Sequence, residues 1–148
     1  MNMTFDVTTH GYGAGGKHQT DSTEFWSHET RMGGSPEYPN PLELLLGSLT
    51  GCMNVVLQMV AHEKGWQDVT ANFRVRGELD PRGFMGDPTV SPYFHTLTLD
   101  IEVAGIPHLD LDWIQGAVGR RCPVHRLFEQ AGVHMTEQWT IMASKEAL

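Results

Sequence analysis

Residues 40–65 read NPLELLLGSLTGCMNVVLQMVAHEKG, and they give the clearest structural signal in the sequence. Asn40 is a good helix cap, Pro41 suits the first helical position, and Glu43 stands three residues after the cap, as in a capping box. Gly65 favours the left-handed backbone conformation that ends a helix. The pattern therefore predicts one long helix that begins at Pro41 and ends just before Gly65.

This helix is apolar on more than one face. One face carries Leu42, Leu45, Leu46, Leu49, Met53, Val56 and Val60, and the other is almost uncharged, with Leu44, Gly47, Gly51 and Val55. Such a helix is expected to be buried all round. A membrane span is the alternative, but Glu43, Asn54 and Gln58 favour a core helix. Because a chain of 148 residues has difficulty wrapping such a helix alone, a second copy is expected to complete the cover.

The flanking sequence mixes strands, loops and shorter helices. Period-two patterns and β-branched residues predict strands at residues 3–9, within 18–30, and at 69–79, 94–103 and 133–142. Glycine and proline predict loops at residues 11–16, 33–39 and 80–92, and helices are expected at 110–120 and 123–130. This order indicates an α+β fold without a βαβ repeat, in a single domain over residues 1–148.

Composition restricts the partners and the compartment. Acidic residues outnumber basic ones by 18 to 10, and the net charge of −8 disfavours nucleic acid or an anionic membrane as a partner. Residues 1–9 lack the basic flank and apolar block of a secretory signal, so we expect a cytoplasmic protein. In that reducing compartment, its two cysteines are not expected to form a permanent disulfide.

Two short motifs suggest other chemistry but lack supporting residues. Residues 11–17 match the G-x-x-x-x-G-K part of a phosphate-binding loop, yet His18 stands where Ser or Thr holds magnesium, and no helix pattern follows. Cys122 and His125 have a C-x-x-H spacing, but zinc needs two further ligands, which only the fold could recruit from His108 or His134. A glycine-rich turn and isolated histidines are the favoured interpretations.

The two cysteines differ in their predicted surroundings. Cys52 lies within the long helix, whereas Cys122 immediately precedes Pro123 at a predicted helix start. The positive end of that helix, together with Arg120 and Arg121, predicts that Cys122 holds a thiolate more readily than a free cysteine does. The alternative is that both cysteines are small buried apolar residues, and position alone leaves this open.

Residues 39–53, PNPLELLLGSLTGCM, followed about seventy residues later by RCPV at 121–124, resemble the OsmC/Ohr family of osmotically inducible and organic hydroperoxide resistance proteins. The order of predicted elements resembles that of the family over nearly the whole chain. The resemblance implies an OsmC-like fold with antiparallel sheets packed around a long buried central helix. It also implies an intertwined homodimer with one active site at each subunit boundary.

The resemblance also implies a thiol peroxidase that acts in defence against oxidative stress. In such a protein Cys52 attacks the peroxide, and Cys122 resolves the resulting sulfenic acid as a disulfide. An external dithiol, of lipoyl type in this family, then reopens the bridge by thiol exchange. No cofactor or metal is required, and the expected substrates are small apolar hydroperoxides.

Two departures from the family pattern bear on this activity. Efficient family peroxidases resemble N-P-E at the helix start, whereas here Leu42 follows Pro41 and Glu43 comes one place later, a rotation of about 100°. The arginine expected in the N-terminal hairpin is missing, so Arg31 or Lys17 is the candidate to stabilise the thiolate. A non-catalytic protein of the same fold, which binds an apolar ligand in the dimer crevice, is therefore the alternative hypothesis.

Overall fold

The computed structural model describes residues 1–142, and these form two compact units, one of residues 1–47 and one that begins at Ser48. Each unit contains its own three-stranded sheet. The long helix α1, Pro41–Lys64, begins in the first unit and continues into the second. The single domain expected over residues 1–148 stays a prediction.

The first unit is an antiparallel meander of three short strands. These are β1 (Thr8–Tyr12), β2 (Gly15–Gln19) and β3 (Glu24–His28). The strand predicted at residues 3–9 begins only at Thr8, because its partner β2 ends at Gln19, the residue opposite Thr8. The loop predicted at residues 11–16 is a shorter turn at residues 13–14, where Gly13 adopts a φ of 52°.

The helix α1 has the ends that the sequence predicts. Asn40 Oδ1 accepts a hydrogen bond from the backbone N–H of Glu43 at 2.7 Å, and Glu43 Oε1 accepts one from the N–H of Asn40 at 3.0 Å. This reciprocal pair is a capping box and satisfies two N–H groups that the helix leaves unpaired. At the other end, Gly65 has a φ of 75°, and the predicted helix boundaries are confirmed.

Burial of α1 is confined to one face within a single chain. The buried residues of α1 are Leu49, Met53, Val56, Leu57, Val60 and Ala61. Val55 and Met59 remain 58% and 48% exposed, so a single chain does not bury α1 on all sides as expected. By length and composition alone α1 could also cross a bilayer, a test that core helices of soluble proteins pass as well.

The second unit contains a mixed sheet in the order β4-β5-β6. Strands β4 (Thr70–Glu78) and β5 (Thr96–Ala104) are antiparallel, as predicted, and β6 (His134–Ile141) pairs parallel to β5. The α+β class is confirmed, but the sheets are not all antiparallel. The reason is that two helices lie between β5 and β6 and return the chain to the end of the sheet where β5 began.

Three further helices complete the second unit. The loop predicted at residues 80–92 contains a one-turn helix α2 (Pro81–Phe84), whose N-cap Asp80 binds Arg82. The helices α3 (Leu111–Arg121) and α4 (Pro123–Gln130) lie where the sequence predicts them. Since α3 ends at Arg121 and α4 begins at Pro123, Cys122 is the only residue between them.

Candidate functional site

Cys122 forms both the C-cap of α3 and the N-cap of α4. Pro123 starts α4 naturally, because a proline lacks the N–H group that a first helical residue leaves unpaired. The Sγ of Cys122 accepts a hydrogen bond from the backbone N–H of His125 at 3.4 Å. The cysteine thus caps its own helix, and its side chain is fully buried, with an exposed fraction of 0%.

Cys52 on α1 lies close to Cys122. It is near enough that its thiol raises the pKa of the Cys122 thiol. Both cysteines are free thiols, and Cys52 is partly exposed whereas Cys122 is not. The fold of the second unit therefore brings together two sulfur atoms that lie seventy positions apart in the sequence.

The Cys122 thiol resists ionisation. Burial, together with a smaller effect of the neighbouring Cys52, raises its pKa from 9.0 to about 11, and the N–H of His125 only partly offsets this rise. The prediction that Cys122 readily forms a thiolate is therefore wrong. The helix end is visible in the sequence, whereas the burial that outweighs it is not, and Arg121 binds Glu63 at 2.8 Å instead of facing the sulfur.

A buried ion pair lies beside Cys122. His125 Nε2 is 2.7 Å from Glu137 Oε2 on β6, and its Nδ1 is 2.8 Å from Glu129 Oε1, although that contact lacks hydrogen-bond alignment. The His125 side chain is only 4% exposed. Trp139 Nε1 donates to the second oxygen of Glu137 at 3.1 Å. Both ring nitrogens thus face carboxylates, and the ring is not placed to take a proton from Cys122.

The surroundings favour the charged forms of both members of this pair. The hydrogen bond to Glu137 is the main reason that the pKa of His125 is raised, and it outweighs burial. Burial pushes the pKa of Glu137 upward, but hydrogen bonds from His125 and Trp139 together lower it. The sequence indicates His125 only as a candidate zinc ligand. The four-residue spacing from His125 to Glu129 indicates that the two side chains can meet on one helix face. The contact of His125 with Glu137 arises only from the fold.

The described residues do not support a zinc site. Across residues 1–142, no group of three or more His, Cys, Asp or Glu side chains is arranged to hold a metal ion. The C-x-x-H spacing brings the backbone N–H of His125, rather than its ring, to the Cys122 sulfur. His108 and His134, the further ligands considered, are both exposed.

The phosphate-loop motif is part of a hairpin. Residues 11–17 run from β1 through a tight turn into β2, and a strand follows the glycines where a phosphate-binding loop has a helix. Backbone N–H groups of this segment pair across the sheet, so they do not form a cradle for phosphate. The interpretation as a glycine-rich turn is confirmed.

The remaining predicted site residues belong to the first unit and have local contacts there. Glu43 is engaged in the capping box with Asn40. Lys17 Nζ lies 3.3 Å from Glu24 Oε1 and 5.9 Å from the centre of a Trp26 ring. Arg31 is exposed on a short 3₁₀ turn, Thr30–Met32. A part for Glu43, Lys17 or Arg31 in the chemistry of the thiols stays a prediction.

Comparison with known proteins gives one consistent result. The family model described as OsmC-like protein matches residues 34–138. An OsmC-like protein from Mycoplasma pneumoniae has a similar structure, with a TM-score of 0.81 at 15% identity over 96% of this chain and 99% of the other. The organic hydroperoxide resistance protein OhrB of Bacillus subtilis has a TM-score of 0.63 at 18% identity over 95% and 98% of the two chains.

Identity at this level shows a shared fold. An OsmC-like protein of unknown function from Vibrio cholerae has a TM-score of 0.76 at 11% identity, over 93% of this chain and 99% of the other. No curated protein matches the chain significantly.

The His125–Glu137 pair makes stability depend on pH. Its contribution is complete between the ordinary pKa values of 4.5 for Glu137 and 6.5 for His125. It is lost as pH rises through the raised pKa of His125, or falls through the lowered pKa of Glu137. We expect Glu137→Gln to lower the free energy of unfolding by ~3 kcal/mol inside this window and by less at alkaline pH.

Urea unfolding followed by Trp fluorescence at a series of pH values measures this difference. His134→Gln, at an exposed histidine on the same strand, is the control and should change little. A stability loss in Glu137→Gln that does not vary with pH contradicts a charged pair.

Proposed function

The chain belongs to the OsmC-like protein family, and from that membership we propose that it is a thiol peroxidase, which reduces organic hydroperoxides through Cys52 and Cys122. The observation that carries the proposal is that these two thiols lie close together and that one of them is partly exposed. Several proteins of similar structure are organic hydroperoxide resistance proteins, which supports a part in oxidative stress defence.

Cys52 is the proposed attacking residue. A peroxide must reach the sulfur it oxidises, and Cys52 is partly exposed whereas Cys122 is fully buried. The attacking species is a thiolate, and the raised pKa of Cys122 leaves it protonated at neutral pH. The exposure of Cys52 and the raised pKa of Cys122 therefore both favour Cys52 as the attacking residue.

The proposed cycle has three steps. The Cys52 thiolate attacks the distal oxygen of the hydroperoxide, the O–O bond breaks, and the alkoxide leaves and takes up a proton as an alcohol. The Cys122 thiol then attacks the sulfenic acid on Cys52, and its proton leaves with the hydroxide as water, so no separate base is needed. An external dithiol, proposed to be of lipoyl type, reduces the disulfide and is itself oxidised.

A cation is proposed to stabilise the Cys52 thiolate. Within residues 1–142, Arg31 has no ion-pair partner, whereas Lys17 is paired with Glu24, so Arg31 is the better candidate. The planar guanidinium of arginine also suits a peroxide and a carboxylate together. Glu43 takes part in this chemistry only if it leaves the capping box, and its main proposed role is to cap α1.

Intact mass after one equivalent of cumene hydroperoxide tests the proposed enzyme. Wild type should lose two hydrogens as the disulfide forms, because Cys122 captures the sulfenic acid. Cys122→Ser should gain one oxygen at Cys52, which dimedone traps, and Cys52→Ser should not change at the same rate. If neither thiol of wild type reacts faster than free cysteine, the peroxidase proposal fails.

A non-catalytic role is the second candidate. The engagement of Glu43 in the capping box favours it, because the family's peroxidases resemble N-P-E at this helix start. In this alternative the chain binds a small apolar ligand, and its thiols are not required. Binding that persists in the Cys52→Ser/Cys122→Ser double variant favours this role, whereas turnover of hydroperoxide with a dithiol excludes it.

We further propose that the protein is a homodimer built on α1. Gly51, Val55 and Met59 follow one another at four-residue spacing and are all exposed in the single chain. A Cβ atom added at Gly51 meets nothing within 4 Å, so a second helix has room to approach closely there. An exposed apolar stripe of this kind is typical of an interface.

Val55→Glu should dissociate the dimer, because it places a charge in the centre of this stripe. Sedimentation velocity across a concentration series measures the expected change from about twice the chain mass to the chain mass. Gln67→Glu, at an exposed position after the helix, is the matched control and should remain dimeric. A wild type that sediments as a monomer at all concentrations contradicts the proposal.

A further inference from the structure

The buried pair of His125 and Glu137 has no part in the cycle described so far, yet it lies within one helical turn of Cys122. His125 is the third residue of α4, and its backbone N–H donates to the Cys122 sulfur at 3.4 Å. Its ring binds Glu137 on β6 at 2.7 Å. One residue therefore connects the sulfur on one side with the sheet on the other.

The ring of His125 lies against groups on β6, α4 and α3. On β6, Glu137 is itself fixed by Trp139 Nε1 at 3.1 Å. On α4, Glu129 lies 2.8 Å from His125 Nδ1 and also binds Arg126. On α3, the ring packs against Gly119, where an added Cβ would meet it at 3.6 Å. The first turn of α4 is thus tied to β6 and α3 through a single side chain.

We propose that His125 is a positioning residue for the thiol pair. By anchoring the first turn of α4 to Glu137, it keeps its own N–H on the Cys122 sulfur. There the N–H stabilises the Cys122 thiolate that leaves when a dithiol opens the Cys52–Cys122 disulfide. The inference rests on the proposed function, because it requires that this disulfide forms.

The chemistry of the opening step explains why such help matters. Cys52 is partly exposed and Cys122 is buried, so an external dithiol attacks the Cys52 sulfur. The disulfide bond breaks, a mixed disulfide forms on Cys52, and Cys122 leaves as a thiolate and then takes up a proton. The second thiol of the dithiol displaces Cys52 and closes an oxidised ring. A buried thiol with a pKa near 11 is a poor leaving group, and its departure depends on the N–H that faces it.

The geometry separates this role from the first step of the cycle. Attack on the peroxide uses Cys52, and the contacts of His125 described above reach Cys122 but not Cys52. Loss of the anchor is therefore expected to slow reopening of the disulfide while it leaves oxidation of Cys52 unchanged. A residue that only stabilises the fold has no reason to act on one step and not the other.

Stopped-flow kinetics on the full chain provide the test. The protein is first oxidised with one equivalent of cumene hydroperoxide, and reopening of the disulfide by dihydrolipoamide is then followed by quenching and mass analysis. His125→Ala should slow reopening on the order of fivefold, which corresponds to loss of one hydrogen bond. His125→Gln retains an N–H donor for Glu137 and should restore most of the rate.

Two controls make the result decisive. His134→Ala, at the exposed start of β6, should reopen at the wild-type rate, and the rate of Cys52 oxidation should match wild type in every variant. If His125→Ala does not fold, Glu137→Leu, which removes the acceptor for His125 Nε2, should be slow in its place. Reopening at the wild-type rate in folded His125→Ala or folded Glu137→Leu overturns this inference alone. Failure of wild type to form any disulfide overturns the proposed function instead.

Discussion

The proximity of the thiols of Cys52 and Cys122 depends on the junction of two helices. A single residue separates α3 from α4, and this residue carries the second sulfur against α1. The junction can hold a cysteine there because the sulfur caps α4 through the N–H of His125. It stays in place because Arg121 binds Glu63 on α1 and His125 binds Glu137 on β6. Each of these ties involves a residue within three positions of the sulfur.

Burial makes the two thiols chemically unequal. The packing that brings Cys122 close to Cys52 also removes Cys122 from water. The loss of hydration destabilises the Cys122 thiolate more than the N–H at the start of α4 stabilises it. Cys52 keeps partial access to solvent. The pair thus consists of one sulfur that a substrate can reach and one that stays protonated at neutral pH. This division follows from position in the fold and requires no additional base.

Local signals in the sequence predicted much of this arrangement. The capping residues Asn40 and Glu43 and the glycine at 65 set the ends of α1, because these effects act within one helical turn. Such local signals cannot predict contacts between distant segments of the chain. The parallel pairing of β6 with β5, the burial of Cys122 and the partnership of His125 with Glu137 all depend on how distant segments meet. Helix dipoles can be read from a sequence, whereas the desolvation that overrides them cannot.

The partly exposed Cys52, and not its buried neighbour Cys122, should be the first thiol to react with a reagent from solvent. Alkylation of the reduced, folded protein with iodoacetamide at a series of pH values, followed by peptide mapping over time, measures this order. We expect the first modification to map to Cys52, and Cys122 to stay unmodified at neutral pH because it is buried and its pKa is raised to about 11. Alkylation of Cys122 ahead of Cys52 at neutral pH in the folded protein contradicts the account.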